Sequence, residues 1–202
     1  MPNGKSSDPE SPHLRDGKPA ICVFCGSSHG NDPAFAQTAR ELGRAIGEQG
    51  FALVFGGGGL GLMGEVARAA RDAGAPVTGI LPEFLRHIEP PLRSGGELVV
   101  TPDLQLRKTE MMARADAFVI LPGGLGTLDE YFEVVTTAQL DVHFKPIIVV
   151  DLNGFFAPLA TLLEHVVAHG FAQPAIMAHH VFVPSVSEAM AVLNARLKPR
   201  PV

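Results

Sequence analysis

Short apolar segments alternate along this chain with longer segments whose apolar residues recur at helical spacing. The short segments lie at 20–26, 51–59, 75–82, 97–101, 116–124, 145–151 and 181–184. The helical patterns lie at 33–50, 62–74, 103–115, 127–140, 155–169 and 186–197. Strands that are apolar on both faces and alternate with helices indicate a parallel sheet covered on both sides. We therefore predict an α/β fold with a doubly wound, Rossmann-like, mostly parallel sheet and helices on both faces.

The length of 202 residues suits one such domain, which we place at 20–197. A leader at 1–19 is rich in Ser, Pro, Asp and Gly, as disordered segments are, and a tail follows at 198–202. The leader lacks the apolar stretch of a signal peptide, and no apolar run is long enough to span a bilayer. We therefore expect a cytoplasmic protein that does not bind membranes. The net charge of −5 argues against general nucleic-acid binding but not against a small anionic ligand.

Cysteines and histidines give little support for a metal or redox site. Cys22 and Cys25 lie at positions i and i+3 of a strand, which face opposite sides of a sheet, so buried small hydrophobes are the better interpretation. His165 and His169 have metal spacing on a helix, but no third ligand is evident. We interpret this pair and the loop pair 179–180 as solvated or partner-facing, and we predict no metal.

The first glycine cluster follows the second predicted strand. "GGGGLG" (56–61) and "GLGLMG" (59–64) both fit G-x-G-x-x-G, in which backbone amides approach a phosphate at a helix N-terminus. Glu83 lies roughly where a ribose-binding acid falls in dinucleotide enzymes. The alternative is a tight packing turn without a ligand. No Walker lysine follows either glycine cluster, which disfavours a nucleoside triphosphatase.

The second cluster, "LPGGLGTLDE" (121–130), offers the amides of three glycines and the Thr127 hydroxyl to an anion. Thr127 and Glu130 also fit a capping box, in which both side chains would only close the start of a helix. Arg107 and Lys108 follow another strand end and can reach the same crevice, where Arg107 could orient a phosphate or pair with a carboxylate. The alternative is an exposed basic helix face.

Taken together, the motifs resemble one known family over roughly residues 20–195. "CVFCGSS", "FGGGGLGLMGEVA", "LRKTEMMARADAFVILPGGLGT", "TTAQL" and "HFKP" occur in its order, and "PGGLGTLDE" fits its PGGxGTxxE pattern. This is the LONELY GUY family of cytokinin riboside 5′-monophosphate phosphoribohydrolases, often mislabelled lysine decarboxylases. A decarboxylase would need a pyridoxal lysine, and neither Lys108 nor Lys145 has a supporting motif.

The resemblance implies hydrolysis of the N-glycosidic bond of N6-modified adenosine monophosphates to the free base and ribose 5-phosphate. It matches Arg107 and Glu130 to the catalytic pair, and Glu89 to a base-contacting glutamate. The substrate-contact positions that it implies are Lys108, Gly123, Gly124, Leu125, Gly126, Thr127, Asp129 and Thr136. It also implies a homodimer without metal or organic cofactor. Two alternatives stay open: a nucleosidase for AMP or other purine monophosphates, and a nucleotide or cofactor carrier without catalysis.

Overall fold

A computed structural model of the chain describes residues 17–88, 90–92 and 96–197. Its seven strands are β1 Ala20–Phe24, β2 Ala52–Phe55, β3 Val77–Pro82, β4 Glu97–Thr101, β5 Ala117–Ile120, β6 Ile147–Val150 and β7 Val181–Val183. Its six α-helices are α1 Pro33–Glu48, α2 Gly61–Asp72, α3 Leu104–Arg114, α4 Leu125–Gln139, α5 Ala157–Ala168 and α6 Val186–Arg196. The elements follow the predicted order along the chain.

All seven strands form one parallel sheet in the order β4-β3-β2-β1-β5-β6-β7. The chain first builds outward from β1 to β4, then returns to place β5 on the other side of β1. Parallel α/β sheets bind ligands beyond the strand carboxyl ends, at the point where the strand order reverses. In this sheet that point lies between β1 and β5, and the predicted doubly wound fold is confirmed.

Local signals explain where several helices begin and end. The Asp32 side chain accepts a hydrogen bond from the Ala34 amide at 2.8 Å and caps α1, which has proline in its first turn. The chain leaves α1 through Gly50, whose φ of +78° glycine adopts without strain. Asp103 caps α3 in the same way, through the Leu106 amide at 2.8 Å. These caps explain why the predicted and observed helices agree closely.

Two apolar layers flank the sheet. One packs α1, α2 and α6 against one face and contains Cys25, whereas the other packs α3, α4 and α5 against the opposite face and contains Cys22. Both thiols are free and buried, as predicted from their spacing, and burial raises the pKa of each thiol. Within the described ranges, no helix is both long and apolar enough to cross a membrane.

Candidate active site

Three loops meet at the carboxyl edge of the two central strands. The loop after β1 is held to the second glycine cluster, because the Gly26 amide donates to the Pro122 carbonyl at 3.1 Å. It is held to the first cluster as well, since the Met63 amide donates to the Gly26 carbonyl at 3.2 Å. The two glycine clusters, which lie far apart in sequence, therefore border one crevice.

Close backbone approach explains two of the glycines. A Cβ on Gly61, whose φ is +57°, would lie 2.2 Å from the carbonyl carbon of Ser27. A Cβ on Gly123 would lie 2.1 Å from the Thr127 hydroxyl oxygen. Side chains at these positions would force the three loops apart, so both glycines are needed for the shape of the crevice.

Arg107 connects this crevice to the first glycine cluster. Its Nε donates to the Ile80 carbonyl at 3.2 Å and its Nη2 to the Gly56 carbonyl at 3.3 Å. A Cβ on Gly56 would lie 2.0 Å from that same Nη2, so glycine at 56 makes room for the guanidinium. The first cluster thus helps to hold a cation in place through the Gly56 carbonyl, a role that the motif G-x-G-x-x-G does not indicate.

Glu130 lies opposite this guanidinium. Its Oε1 is 3.6 Å from Nη2 of Arg107, and the two side chains are 9% and 12% exposed. Burial raises the pKa of the Cys25 thiol, and the negative charge of Glu130 raises it further. The electrostatic effect of this carboxylate therefore extends to the residue that follows β1. The Glu130 carboxylate and the Arg107 guanidinium therefore lie beside the crevice, largely shielded from solvent.

The capping-box alternative for Glu130 is wrong. The box requires Thr127 to precede the helix, but α4 begins at Leu125 and its N-cap is Gly124. Thr127 and Glu130 both lie inside the helix and are buried, and no side chain caps its start. Glu130 therefore does not close a capping box, and no side-chain cap covers the first-turn amides of α4.

The second cluster is open where a ligand would approach. A Cβ on Gly124 or Gly126 would meet no atom within 4 Å, and the Leu125 side chain between them is 85% exposed. These residues form the first turn of α4, where the helix dipole and the amide donors favour an anion. The start of α4 is therefore open to solvent, and the anion site there stays a prediction.

Lys108, the neighbour of Arg107 in sequence, pairs with acidic side chains of α4. Its ammonium lies 3.0 Å from an Asp129 carboxylate oxygen and also contacts Glu133, so it joins α3 to α4. Burial works against the charge of Lys108, but its hydrogen bonds to Glu133 and Asp129 outweigh burial and raise its pKa. The alternative of an exposed basic face is wrong for both cations, since Lys108 is only 15% exposed.

The remaining candidates lie farther out. Thr136 is exposed on α4, about 9 Å along the helix axis from Glu130. Glu83 is exposed and pairs with Arg86 at 3.0 Å. Glu89 lies outside the described residues. Glu110 and Arg114, one turn apart on α3, pair at 3.1 Å on the helix surface.

The motifs did not indicate a second carboxylate network that supports the first cluster. Glu65 on α2 accepts hydrogen bonds from Arg40 at 3.0 Å and Arg68 at 2.8 Å, and lies 3.3 Å from His29. Arg68 also donates to the Gly59 carbonyl at 3.0 Å, which fixes the glycine loop. The i,i+3 spacing of Glu65 and Arg68 was the available sequence signal.

The histidine pairs differ from each other. The His165 and His169 rings lie 4.1 Å apart on α5, and the described part of the chain holds no cluster of three metal-ligating side chains. The expectation of a solvated or partner-facing side chain is wrong for His180, which is 7% exposed and packs against Tyr131 and Phe182. His180 lies directly before β7, and nothing in the sequence of the pair 179–180 indicated that its ring would be buried.

Sequence comparison finds relatives over most of the chain. A family model described as possible lysine decarboxylase matches residues 63–193. A cytokinin riboside 5′-monophosphate phosphoribohydrolase of Arabidopsis thaliana is 40% identical over 174 residues, covering 86% of this chain and 80% of that protein. A probable enzyme of the same name from Oryza sativa subsp. japonica is 40% identical over 173 residues, covering 86% of this chain and 82% of that protein.

Solved structures with a similar fold include proteins that bind or carry the molybdenum cofactor. The molybdenum cofactor binding protein from Rippkaea orientalis superposes with a TM-score of 0.67 at 22% identity, covering 88% of this chain and 96% of that chain. The Moco carrier protein from Chlamydomonas reinhardtii gives 0.65 at 22% identity, with 88% and 96% covered. At this identity the likeness establishes the fold alone.

Proposed function

Because this chain belongs to the LONELY GUY family of cytokinin riboside 5′-monophosphate phosphoribohydrolases, we propose that it hydrolyses the N-glycosidic bond of N6-modified adenosine monophosphates. The products are the free base and ribose 5-phosphate. The observation that carries the proposal is the buried pair of Arg107 and Glu130, 3.6 Å apart, beside an uncapped helix start.

The 5′-phosphate binds at the first turn of α4. The amides of Gly123 to Thr127 and the Thr127 hydroxyl are its donors, and the open space over Gly124 and Gly126 admits it. Glu130 lies one turn farther along the helix, so the ribose of a bound nucleotide reaches the carboxylate. Asp129 and Lys108, which pair next to this turn, hold the helix start against α3 and border the sugar.

Cleavage separates the base from C1′ and builds oxocarbenium character on the ribose. The Glu130 carboxylate stabilises that positive charge and orients the attacking water. The water oxygen bonds to C1′, one of its protons is released, and the base nitrogen that leaves takes up a proton. Arg107, anchored by the carbonyls of Ile80 and Gly56, holds the carboxylate and the substrate in register.

Apolar side chains at the crevice mouth favour a base with an apolar N6 substituent. Leu60, Phe84, Ile88 and Leu125 follow the carboxyl ends of three strands, and each is at least half exposed. Such a rim gains free energy from covering an apolar group, which plain AMP lacks. We retain Glu89, next to Ile88, as the contact to the base.

We propose a homodimer formed through the outer face of α4. Phe132, Thr136 and Leu140 lie at spacings of four on this helix and are exposed, so they form one stripe. Val142 and Phe144, 68% and 75% exposed, extend the apolar area. Large exposed apolar patches mark interfaces, and a dimer is the arrangement through which Thr136 approaches a site. Light scattering of the purified protein measures the mass directly, and a monomer at micromolar concentration contradicts the dimer.

Incubating the purified protein with isopentenyladenosine monophosphate and with AMP, and measuring free base, tests the assignment. We expect faster release from the modified nucleotide and no release from either nucleoside without its phosphate. Faster release from AMP would replace the cytokinin substrate with a general purine monophosphate. No base from either nucleotide, with binding retained, would favour a carrier.

A further inference from the structure

The first glycine cluster pairs through its backbone with the segment that follows the turns after β3. The Gly59 amide donates to the Pro90 carbonyl at 2.7 Å, and the Leu92 amide donates to the Gly57 carbonyl at 3.2 Å. These bonds run in both directions between the two segments, as they do between antiparallel strands. The cluster is therefore a short docking edge for the chain after β3, a use of its backbone that the phosphate motif does not indicate.

Close packing supports this docking edge. An antiparallel bridge joins Gly58 to Pro91 between the two hydrogen bonds. A Cβ on Gly59 would lie 3.0 Å from the Pro90 carbonyl oxygen and 3.1 Å from the Pro91 carbonyl oxygen, so glycine at 59 lets the two backbones approach. The Leu92 side chain packs against the apolar layer that contains α1 and α2, which anchors the docked segment.

The amides at the start of α2 are already used within the protein. The Leu62 amide donates to the Ser28 carbonyl at 3.3 Å, and the Met63 amide donates to the Gly26 carbonyl at 3.2 Å. The loop after β1 therefore takes two donors that a phosphate at this helix start would need. Both observations favour a structural role for the first cluster over phosphate binding.

Arg68 on α2 holds the other side of the docking edge. Its Nη1 donates to the Gly59 carbonyl at 3.0 Å, and its Nη2 donates to a Glu65 carboxylate oxygen at 2.8 Å. Glu65 also accepts from Arg40 of α1 at 3.0 Å. A Cβ on Gly64 would lie 2.2 Å from the Gly59 carbonyl oxygen and 2.8 Å from Nη1 of Arg68, so glycine at 64 leaves room for the contact. Gly59 is therefore held on both sides, its carbonyl by Arg68 and its amide by the docked segment.

Two parts of the apolar rim depend on Gly59 for their position. Leu60 follows Gly59 directly and is 52% exposed. Phe84 and Ile88, which are also exposed, lie in the turns after β3. Pro90 comes two residues after Ile88, so its bond to the Gly59 amide limits where these turns can lie.

We propose that Arg68 is a positioning residue that sets the preference for an N6-modified base. Its hydrogen bond to the Gly59 carbonyl holds Leu60 and, through Pro90, the turns after β3 at the crevice mouth. An apolar rim that is held in place loses less conformational entropy when it covers an apolar substituent, so the substituent contributes more to affinity. Arg68 acts through the backbone, because its guanidinium is bound to Gly59 and Glu65. This role rests on the proposed function, since it concerns how the same site distinguishes two nucleotides.

Steady-state release of base from isopentenyladenosine monophosphate and from AMP tests this role. Arg68→Ala should raise KM for the modified nucleotide about tenfold, because the rim is no longer held against the substituent. Its kcat, and both constants for AMP, should stay within about twofold of the wild type. Arg40→Ala is the matched control: it removes an arginine that bonds to the same Glu65 carboxylate but not to Gly59, and it should keep the wild-type preference.

Two further measurements separate positioning from a fold effect. Gly59→Ala crowds the Pro90 carbonyl from the other side of the contact and should reproduce the KM pattern of Arg68→Ala. Hydrogen exchange of the Leu92 amide should be faster in Arg68→Ala than in the wild type. The Ala73 amide, which bonds at the far end of α2, should exchange at the same rate in both proteins.

Equal rises in KM for the two nucleotides would give Arg68 a general structural role and overturn its part in the preference. The same rise in Arg40→Ala, or a Leu92 amide that exchanges at the wild-type rate in Arg68→Ala, would overturn it as well. Failure of the proposed function has a different signature, because the wild type would then release no base from either nucleotide. In that case the dissociation constants of the two nucleotides replace KM, and the exchange of the Leu92 amide is measured as before.

Discussion

Arg107 and Glu130 face each other at a distance of 3.6 Å. Arg107 lies on α3, which follows β4, and Glu130 lies on α4, which follows β5, so the two helices come from strands on opposite sides of β1. The guanidinium is held by two carbonyls from the first half of the chain, whereas the carboxylate is carried by α4 from the second half. The pairing brings a negative charge to the crevice without exposing it to bulk water, where it would be screened. The first two predictions concern these two residues.

Glu130→Gln should lower kcat by about 10²- to 10⁴-fold with little change in KM, because the amide cannot stabilise positive charge on the ribose. Steady-state release of base measures both constants, and circular dichroism verifies the fold. Glu164→Gln, the same change at an exposed position of α5, is the control and should retain full activity. A kcat within threefold of the wild type would remove Glu130 from the reaction.

Arg107→Lys should lose both activity and stability although it keeps the charge. An ammonium cannot span the Ile80 carbonyl, the Gly56 carbonyl and Glu130 with one planar group. We expect kcat to fall by about 10²-fold and the free energy of unfolding by about 1–2 kcal/mol. Urea unfolding and base release measure the two effects. If lysine restores more than half of the activity, charge alone suffices and the bidentate geometry is irrelevant.

Alanine at the three glycines of the second cluster should separate folding from binding. A Cβ at Gly124 or Gly126 meets no protein atom, so these variants should keep their melting temperature while the methyl group obstructs the phosphate and raises KM about tenfold or more. Gly123→Ala, whose Cβ would lie 2.1 Å from the Thr127 hydroxyl, should lose stability as well. Thermal unfolding and nucleotide titration distinguish the two patterns. Unchanged KM in both Gly124→Ala and Gly126→Ala would place the phosphate elsewhere.

Glu65 should make stability depend on pH in the acid range. Burial opposes its charge, but the hydrogen bonds from Arg40, His29 and Arg68 outweigh burial and lower its pKa below 4.5. A carboxyl with a lowered pKa stabilises the fold above its unfolded pKa, and this contribution is lost as the pH falls through the folded value. Glu65→Gln should therefore melt at a lower temperature than the wild type at pH 7, with the gap closing below about pH 4.5. A gap that stays constant between pH 7 and pH 3 would contradict the role of the charge.

Much of the fold could be predicted from the sequence because the strong signals are local. Apolar strands and helical periodicity are local patterns, so the element order followed from the sequence and the helix bounds agreed to within about two residues. The strands predicted at 51–59 and 116–124 end earlier, at Phe55 and Ile120, because the glycine-containing turns that follow belong to the loops. The start of α4 was harder, because Thr127 and Glu130 fit a capping box while Gly124 is the N-cap without using a side chain. The capping-box pattern starts at Thr127, but the helix begins two residues earlier, at Leu125.

Pairings between elements that lie far apart in sequence could not be predicted from spacing. Lys108 is adjacent to Arg107 in sequence, yet it turns to Asp129 and Glu133 while Arg107 turns to Gly56. Successive residues of a helix point about 100° apart, so which of them faces the crevice depends on the docking of α3. The burial of His180 likewise depends on Tyr131 from α4 and on β7, which only the assembled sheet brings together.

The pairing of β5 with β1 also determines when the protein becomes competent during synthesis. Strands β1 to β4 are neighbours in the sheet and emerge from the ribosome first, followed by α3 with Arg107. A nascent chain of this length has both carbonyls that hold the guanidinium but lacks β5, the glycine turn and Glu130. We therefore expect fragments that stop before α4 to be inactive, and a separate polypeptide with the second half would have to restore the central β1–β5 ladder before activity could return.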